Sequence, residues 1–178
     1  SYSAHLDRCW IQGNTYEGLV ARWGSSGYVT NLLITNNKLS GVRIGAPVVL
    51  NYATITNNNS YGVQLECGTA GQLPTIHNSI IWSGLGNAVT GYCVIWGSDF
   101  DEATATNGNY SATPQFVKPS FPSPPYVCFN YSCLDYRLGL NSPCKNKGIH
   151  LSGVHQPAED IAGRTRLYGG KTDSGAYE

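Results

Sequence analysis

Ile34-Thr35-Asn36-Asn37-Lys38-Leu39-Ser40-Gly41-Val42-Arg43-Ile44 decides the fold, because the same arrangement comes back along the chain. Ile11-Gln12-Gly13-Asn14-Thr15-Tyr16-Glu17-Gly18 precedes it, and Ile55-Thr56-Asn57-Asn58-Asn59-Ser60-Tyr61-Gly62 follows it. All three read I-x-x-N-x-x-x-G, with isoleucines 23 and 21 residues apart, and a looser copy, Ile81-Trp82-Ser83-Gly84, comes 26 residues later. Fixed-period self-similarity is the mark of a repeat architecture. Leu19-Val20-Ala21-Arg22, Val42-Arg43-Ile44-Gly45 and Val63-Gln64-Leu65-Glu66 fall on the same ruler. Each unit alternates apolar and polar residues over short runs, and none shows the 3.6-residue period of a helix.

A helix-free period near 22 residues, measured from those spacings, predicts a coil of short strands that stacks on the next. Each strand then pairs in parallel with its equivalent one rung away, and stacking makes the core continuous where a single unit has none. The expected inward columns are Cys9/Leu32/Ala53/Ser79, Ile11/Ile34/Ile55/Ile81, Leu19/Val42/Val63 and Ala21/Ile44/Leu65. Gln12/Thr35/Thr56/Trp82 and Val20/Arg43/Gln64 are expected to face outward, by the two-residue period of a strand. Asn14, Asn37 and Asn58 stack at a corner as a structural ladder, since an amide both donates and accepts. Asn also tolerates the left-handed backbone that a sharp corner needs, as does the Gly four residues on.

Composition agrees with that reading. Twenty-one glycines, fifteen asparagines, sixteen serines and thirteen threonines make the polar surface one of amides and hydroxyls. Charged residues are 12 % of the chain, eleven basic against eleven acidic, about half the usual share. No basic excess is available for a phosphate backbone, which argues against nucleic acid as a partner. No apolar run is long enough to span a membrane. The sequence has no methionine, even at position 1, and reads as starting inside a longer polypeptide.

Six cysteines are spread irregularly, at 9, 67, 93, 128, 133 and 144, with Cys128 and Cys133 the one close pair. Without histidines at ligand spacing they do not suggest zinc. They point instead to an extracellular protein with disulfides, Cys128 and Cys133 being the named candidates, or else to buried thiols. Asn58, Asn109 and Asn130 head glycosylation sequons. Membership in the ladder would hide Asn58, which leaves Asn109 and Asn130 as the candidate glycosylation sites.

The repeat fades after Phe100, and Lys118-Pro119-Ser120-Phe121-Pro122-Ser123-Pro124-Pro125 excludes both helix and central strand. The chain therefore divides into β-helix coils over 1–99 and a C-terminal capping segment over 100–178 of the same domain. A cap is expected because the last coil offers unpaired strand edges.

The second half carries a family resemblance. Asn78-Ser79-Ile80-Ile81-Trp82 is followed by Asn109-Tyr110-Ser111-Ala112-Thr113-Pro114-Gln115-Phe116-Val117 and Asp135-Tyr136-Arg137-Leu138. Ser142-Pro143-Cys144-Lys145-Asn146-Lys147-Gly148, Asp160-Ile161-Ala162-Gly163-Arg164-Thr165-Arg166 and a closing Leu167-Tyr168-Gly169-Gly170-Lys171-Thr172-Asp173-Ser174-Gly175-Ala176-Tyr177-Glu178 complete the set. In that order the motifs resemble the C-terminal region of bacterial secreted right-handed parallel β-helix proteins with polymorphic-outer-membrane-protein-like repeats, the choice-of-anchor proteins. The resemblance implies a secreted or cell-surface solenoid. It implies no single activity and no catalytic residues. Ser174 stands where that family usually has an apolar residue.

Candidate sites are sparse. Arg22 and Glu66 share an outward column two rungs, about 10 Å, apart. With Arg43 next to them and Trp82 facing out, they form a possible surface ligand patch, against the alternative of a solvated face. Asp99, Asp101 and Glu102 gather acidic oxygens but lack the length and glycine of a calcium loop. Lys145 and Lys147 read as a solvated turn, and the histidines are scattered. No cofactor or metal is implied.

The expectation is an all-β, right-handed parallel β-helix with an irregular C-terminal cap, extracellular or on the outer cell surface. Its first functional reading is a non-enzymatic scaffold, adhesin-like or self-associating, whose partners are other subunits or upstream coils of its own polypeptide. The alternative is a β-helix that binds or cleaves extracellular acidic polysaccharide. A groove with at least two convergent ionisable groups separates the second from the first.

Overall fold

The computed structural model describes all of the chain except residues 1, 23, 62, 66–72, 83–87, 91–92, 102–105, 120–133 and 168–169. The first coil runs through β1 (Tyr2–Asp7), β2 (Trp10–Gln12) and β3 (Leu19–Ala21), and the second through β4 (Ser25–Thr30), β5 (Leu33–Thr35) and β6 (Val42–Ile44). The third is β7 (Val48–Asn51), β8 (Thr54–Thr56) and β9 (Val63–Leu65), and the fourth β10 (Thr75–His77), β11 (Ile80–Trp82) and β12 (Val89–Thr90). A fifth begins with β13 (Val94–Trp96) and β14 (Asp99–Phe100). Equivalent strands pair in parallel into three sheets, ordered β1-β4-β7-β10-β13, β2-β5-β8-β11-β14 and β3-β6-β9-β12. The protein is an all-β parallel solenoid, as the repeat predicts.

The register follows the sequence ruler. Ile11 pairs with Ile34, Ile34 with Ile55, and Ile55 with Ile81. Leu32, Ile34, Val42, Ile44, Ala53, Ile55 and Val63 are almost wholly buried in one core. Burying each large aliphatic side chain contributes about 1.5–3 kcal/mol. The first sheet completes this core with Leu6, Val29, Leu50, Ile76 and Ile95. These lie 23, 21, 26 and 19 residues apart, so the third face of the solenoid was written on the same ruler. Between β13 and β14 the chain turns at Gly97 (φ 59°).

The corners show how the stack is held. Left-handed backbone falls on Gly13, Asn36 and Asn57, one residue before the expected asparagines. Asn14, Asn37 and Asn58 are thereby free to use their amides between rungs. The Asn14 backbone N–H and Nδ2 both donate to Asn37 Oδ1 at 3.0 and 2.9 Å, and Asn37 donates in the same way to Asn58 Oδ1. Asn58 Nδ2 ends on the carbonyls of Ile34 and Thr56. Gly18 serves close approach rather than positive φ: a Cβ there would lie 2.6 Å from Ile34 Cγ2 and 2.7 Å from the Gly41 carbonyl oxygen. A second set of polar rungs lies between the first and second sheets. Ser79 Oγ accepts from the Ala53 N–H, Ser98 Oγ from the Ser79 N–H, and Asn109 Oδ1 from the Ser98 N–H.

The tail caps the solenoid, as expected, and also runs along it. Residues 107–112 do extend the last rung, through Gly97 N–H to Asn107 O and Tyr110 N–H to Ser98 O. Beyond them, β15 (Phe116–Lys118) and β16 (Asp135–Leu138) form an antiparallel pair, and the chain then lies across the rungs along one flank. Ile149 contacts Asn78, His155 contacts Asn51, and Glu159 contacts Asn31 and Arg8, four successive corners of the solenoid. Thr35 and Thr56 point out of the coil as expected, yet are buried, because Tyr136 and its neighbours cover the second sheet. Trp10, one coil beyond that cover, is 49 % exposed.

Candidate functional site

The described residues singled out in the coils fall on different faces of the solenoid. Arg43, on the third sheet, pairs with Glu17 at 3.3 Å. Arg22 follows β3 and is exposed, Trp82 ends β11 on the second sheet, and Glu66 lies outside the described residues. Asn109 is 7 % exposed, and its Nδ2 donates to the Ile95 carbonyl. The folded chain leaves no room for a glycan there. Asn130, Cys128 and Cys133 lie outside the described residues. Cys9, Cys93 and Cys144 are thiols; Cys144 is buried with Sγ 3.0 Å from Asp99 Oδ2. Asp99 also accepts the Ala112 N–H, so its oxygens serve the rung above and the tail rather than an ion. Burial pushes Asp99 up to about 6. Among the described residues no cluster of three metal-ligating side chains occurs.

Ionisable groups converge instead in the tail. Three segments build the place. The turn after β16 is closed by Ser142 N–H to Gly139 O and Lys145 N–H to Ser142 O. A second turn is organised by Asp160, whose Oδ1 accepts the N–H groups of Ala162 and Arg164. The closing segment is stitched to both: Asp173 Oδ1 accepts the Asn146 N–H at 2.7 Å, and Asp160 Oδ2 accepts the Glu178 N–H at 3.0 Å. Between them opens a groove of about 930 Å³ lined by Leu140, Asn141, Ser142, Lys145, Asn146, Arg164, Thr165, Asp173 and Glu178. Lys145, Arg164 and Glu178 also line an adjoining recess of about 300 Å³ with Val117, Arg137 and Leu138.

The floor of the groove is anchored to the solenoid by Arg166, a side chain only 1 % exposed. Its guanidinium donates to the Gly175 and Ala176 carbonyls and to Asn31 Oδ1, and Glu178 stands 3.6 Å away. Glu178 Oε2 also accepts the Asp173 N–H. Burial, reinforced by the charges of Asp173 and Asp160, pushes the Glu178 carboxyl up to about 7 against the opposing pull of that N–H and of Arg166. Burial likewise raises Asp173, with Asn146, Lys145 and Arg166 opposing. Arg137 is held by Asp135, its Nε 2.9 Å from Oδ1. Lys145 and Arg164 make no side-chain ion pair among the described residues and remain available to an anion.

These residues escaped a reading of local motifs, because Lys145, Arg164, Asp173 and Glu178 are spread over 34 positions. One signal was present. Half of the 22 charged residues fall in the last 44 positions, 135–178, against eight in the coils over 1–99.

No protein-family model matches the chain. No curated protein matches it. Among solved structures there is a likeness to the crystal structure of pectate lyase Pel9A, at 14 % identity and a TM-score of 0.31. It covers 98 % of this chain, which spans 65 % of that structure's length. At that TM-score the likeness carries no argument about activity.

Proposed function

We propose that the chain is an extracellular β-solenoid that binds acidic polysaccharide in the groove of its C-terminal segment. One observation carries the reading: two cations without ion-pair partners among the described residues, Lys145 and Arg164, share an open groove with two carboxyls that burial pushes toward neutrality. Charge-assisted bonds to a sugar carboxylate are about twice as strong as neutral ones. Asn141, Ser142, Asn146 and Thr165 add the amides and hydroxyls that sugar hydroxyls can meet. The groove and its adjoining recess offer length for more than one sugar unit. The C-terminal motifs, through their family resemblance, support a secreted or surface location. Among the described residues no helix is long and apolar enough to cross a membrane.

Titration calorimetry with oligogalacturonate, and with a neutral oligosaccharide of equal length, tests the reading. Binding of the charged ligand alone is expected, weakened about ten-fold or more by Lys145→Ala with Arg164→Ala, a loss of about 1.4 kcal/mol. Equal binding of both ligands, or of neither, would sink it.

A second reading, a self-associating structural subunit, is supported by the first coil. Leu6, Cys9, Ile11, Leu19 and Ala21 are only partly buried, whereas Val29, Leu32, Ile34, Val42 and Ile44 one rung on are covered. Such an edge can template a further rung, supplied by another subunit or by upstream coils of the same polypeptide. A native mass equal to one chain at high concentration would count against it.

A further inference from the structure

Among the described residues, Glu178 is the one carboxylate that lines both the groove and the adjoining recess, and the two cations that share both spaces with no carboxylate paired to them are Lys145 and Arg164. Ionised, Glu178 puts a negative charge on the wall of the same two spaces. Behind it lie Asp173, which gives it an N–H, Asp160, which holds its backbone N–H, and Arg166 at 3.6 Å. Tyr52 stacks beneath Arg166 from the solenoid side, and Arg137, paired to Asp135, faces it across the recess. Three carboxyls thus surround one buried guanidinium. Full ionisation of all three leaves negative charge in excess in a partly desolvated place, which is costly. Glu178 is the member of that set that lines both spaces, whereas Asp173 lines the groove alone and Asp160 lines neither.

We propose that Glu178 sets the affinity of the groove for the ligand's carboxylate: protonated it leaves the charges of Lys145 and Arg164 unopposed in that space, and ionised it repels an acidic sugar. The inference rests on the reading of the groove as an acidic-polysaccharide site and adds the residue that sets its affinity. Burial supports it by pushing the Glu178 carboxyl up to about 7, inside the range where a protein surface meets ordinary changes of pH. The uronate itself stays ionised throughout that range, so the proton taken up belongs to the protein. Binding and proton uptake are then linked: whatever favours the protonated carboxyl favours the ligand, and the reverse.

Calorimetric titration of the whole chain with oligogalacturonate at pH 6, 7 and 8 tests this. One-proton linkage centred near the value above predicts affinity about ten-fold higher at pH 6 than at pH 8. Titrations in two buffers of different ionisation enthalpy should show uptake approaching one proton per ligand at pH 8. Glu178→Gln keeps an acceptor for the Asp173 N–H; it should bind at the wild-type pH 6 level at every pH, without proton uptake. A ten-fold pH effect that persists in the variant, or wild-type binding that ignores pH, would overturn the role of Glu178 while leaving the groove as a binding site. Absence of binding by both proteins at pH 6 would overturn the site and this role together.

Discussion

The Arg166 guanidinium carbon lies 4.0 Å from the centre of the Tyr52 ring, and this stack joins the tail to a corner of the third coil. Tyr52 has φ 53°, a left-handed value that is unusual for a bulky residue. The ring is held there by its hydroxyl, which donates to Gln156 Oε1 at 2.8 Å, and by the cation stacked on its face.

Arg166→Ala should therefore be among the most damaging single changes. It strips donors from the Gly175 and Ala176 carbonyls and from Asn31, and leaves neighbouring carboxyls without their buried cation. Breaking a buried charged pair by removing one partner costs about 3–5 kcal/mol. Urea unfolding should show a lower midpoint. Arg166→Lys should recover only part of it, since an ammonium cannot match the planar fork; full recovery would show that charge alone matters.

The asparagine ladder predicts a graded series. Asn37→Ala removes the acceptor for the Asn14 backbone and side chain and a donor to Asn58, inside the stack. About 1–3 kcal/mol is expected for buried groups left unpaired. Asn14→Ala, at the exposed end of the ladder, should cost less. Equal losses in denaturant midpoints would mean that the rungs are not cooperative.

Gly18→Ala would ordinarily gain a little stability by restricting the unfolded chain. Here the added methyl meets Ile34 Cγ2, Asn37 Nδ2 and the Gly41 carbonyl oxygen within 2.6–2.7 Å. Overpacking of this kind costs about 1–3 kcal/mol. Thermal unfolding should show a fall in Tm, and a rise would mean that the rungs separate easily.

Tyr136→Phe tests the hold of the tail on the second sheet. The hydroxyl accepts from Thr35 Oγ1 at 2.8 Å and from Asn57 Nδ2 at 3.2 Å. Its removal should leave the coils folded but speed proteolytic cleavage within the tail. Uniform cleavage along the whole chain would indicate instead that tail and coils unfold as one unit.

Asp99 gives a pH dependence with a definite sign. Its carboxyl rises from 3.8 to about 6 on folding, chiefly through burial. The folded chain therefore holds the proton more tightly than the unfolded one, and stability from this group is complete below pH 4 and is lost as pH rises through 6. Asp99→Asn should flatten that part of a plot of urea midpoint against pH. An unchanged slope would assign the dependence to other groups.

Much of the fold was legible because a solenoid repeats its local chemistry. Ile11, Ile34, Ile55 and Ile81 occupy equivalent places, and one series of steps, 23, 21 and 26 residues, set the register of all three sheets. The position of the corner was one residue off, since Asn36 and Asn57 take the left-handed backbone while Asn37 and Asn58 take the hydrogen bonds. Both residues at each corner are asparagine, so composition alone could not divide the tasks. The candidate patch of Arg22, Arg43, Glu66 and Trp82 rested on columns whose surroundings the repeat does not specify.

The sequence by itself determined the strand period, the inward columns and the scarcity of charge in the coils, all of which follow from side chains that recur at fixed intervals and meet their own kind one rung away. Only the tertiary structure decided that the tail lies along the flank, that Thr35 and Thr56 are covered, and that Lys145, Arg164, Asp173 and Glu178 share one groove. The physical reason is the range of the contacts. Stacking joins residues about one period apart, whereas Arg166 reaches Asn31 across 135 positions, and no local pattern records a contact made at that separation.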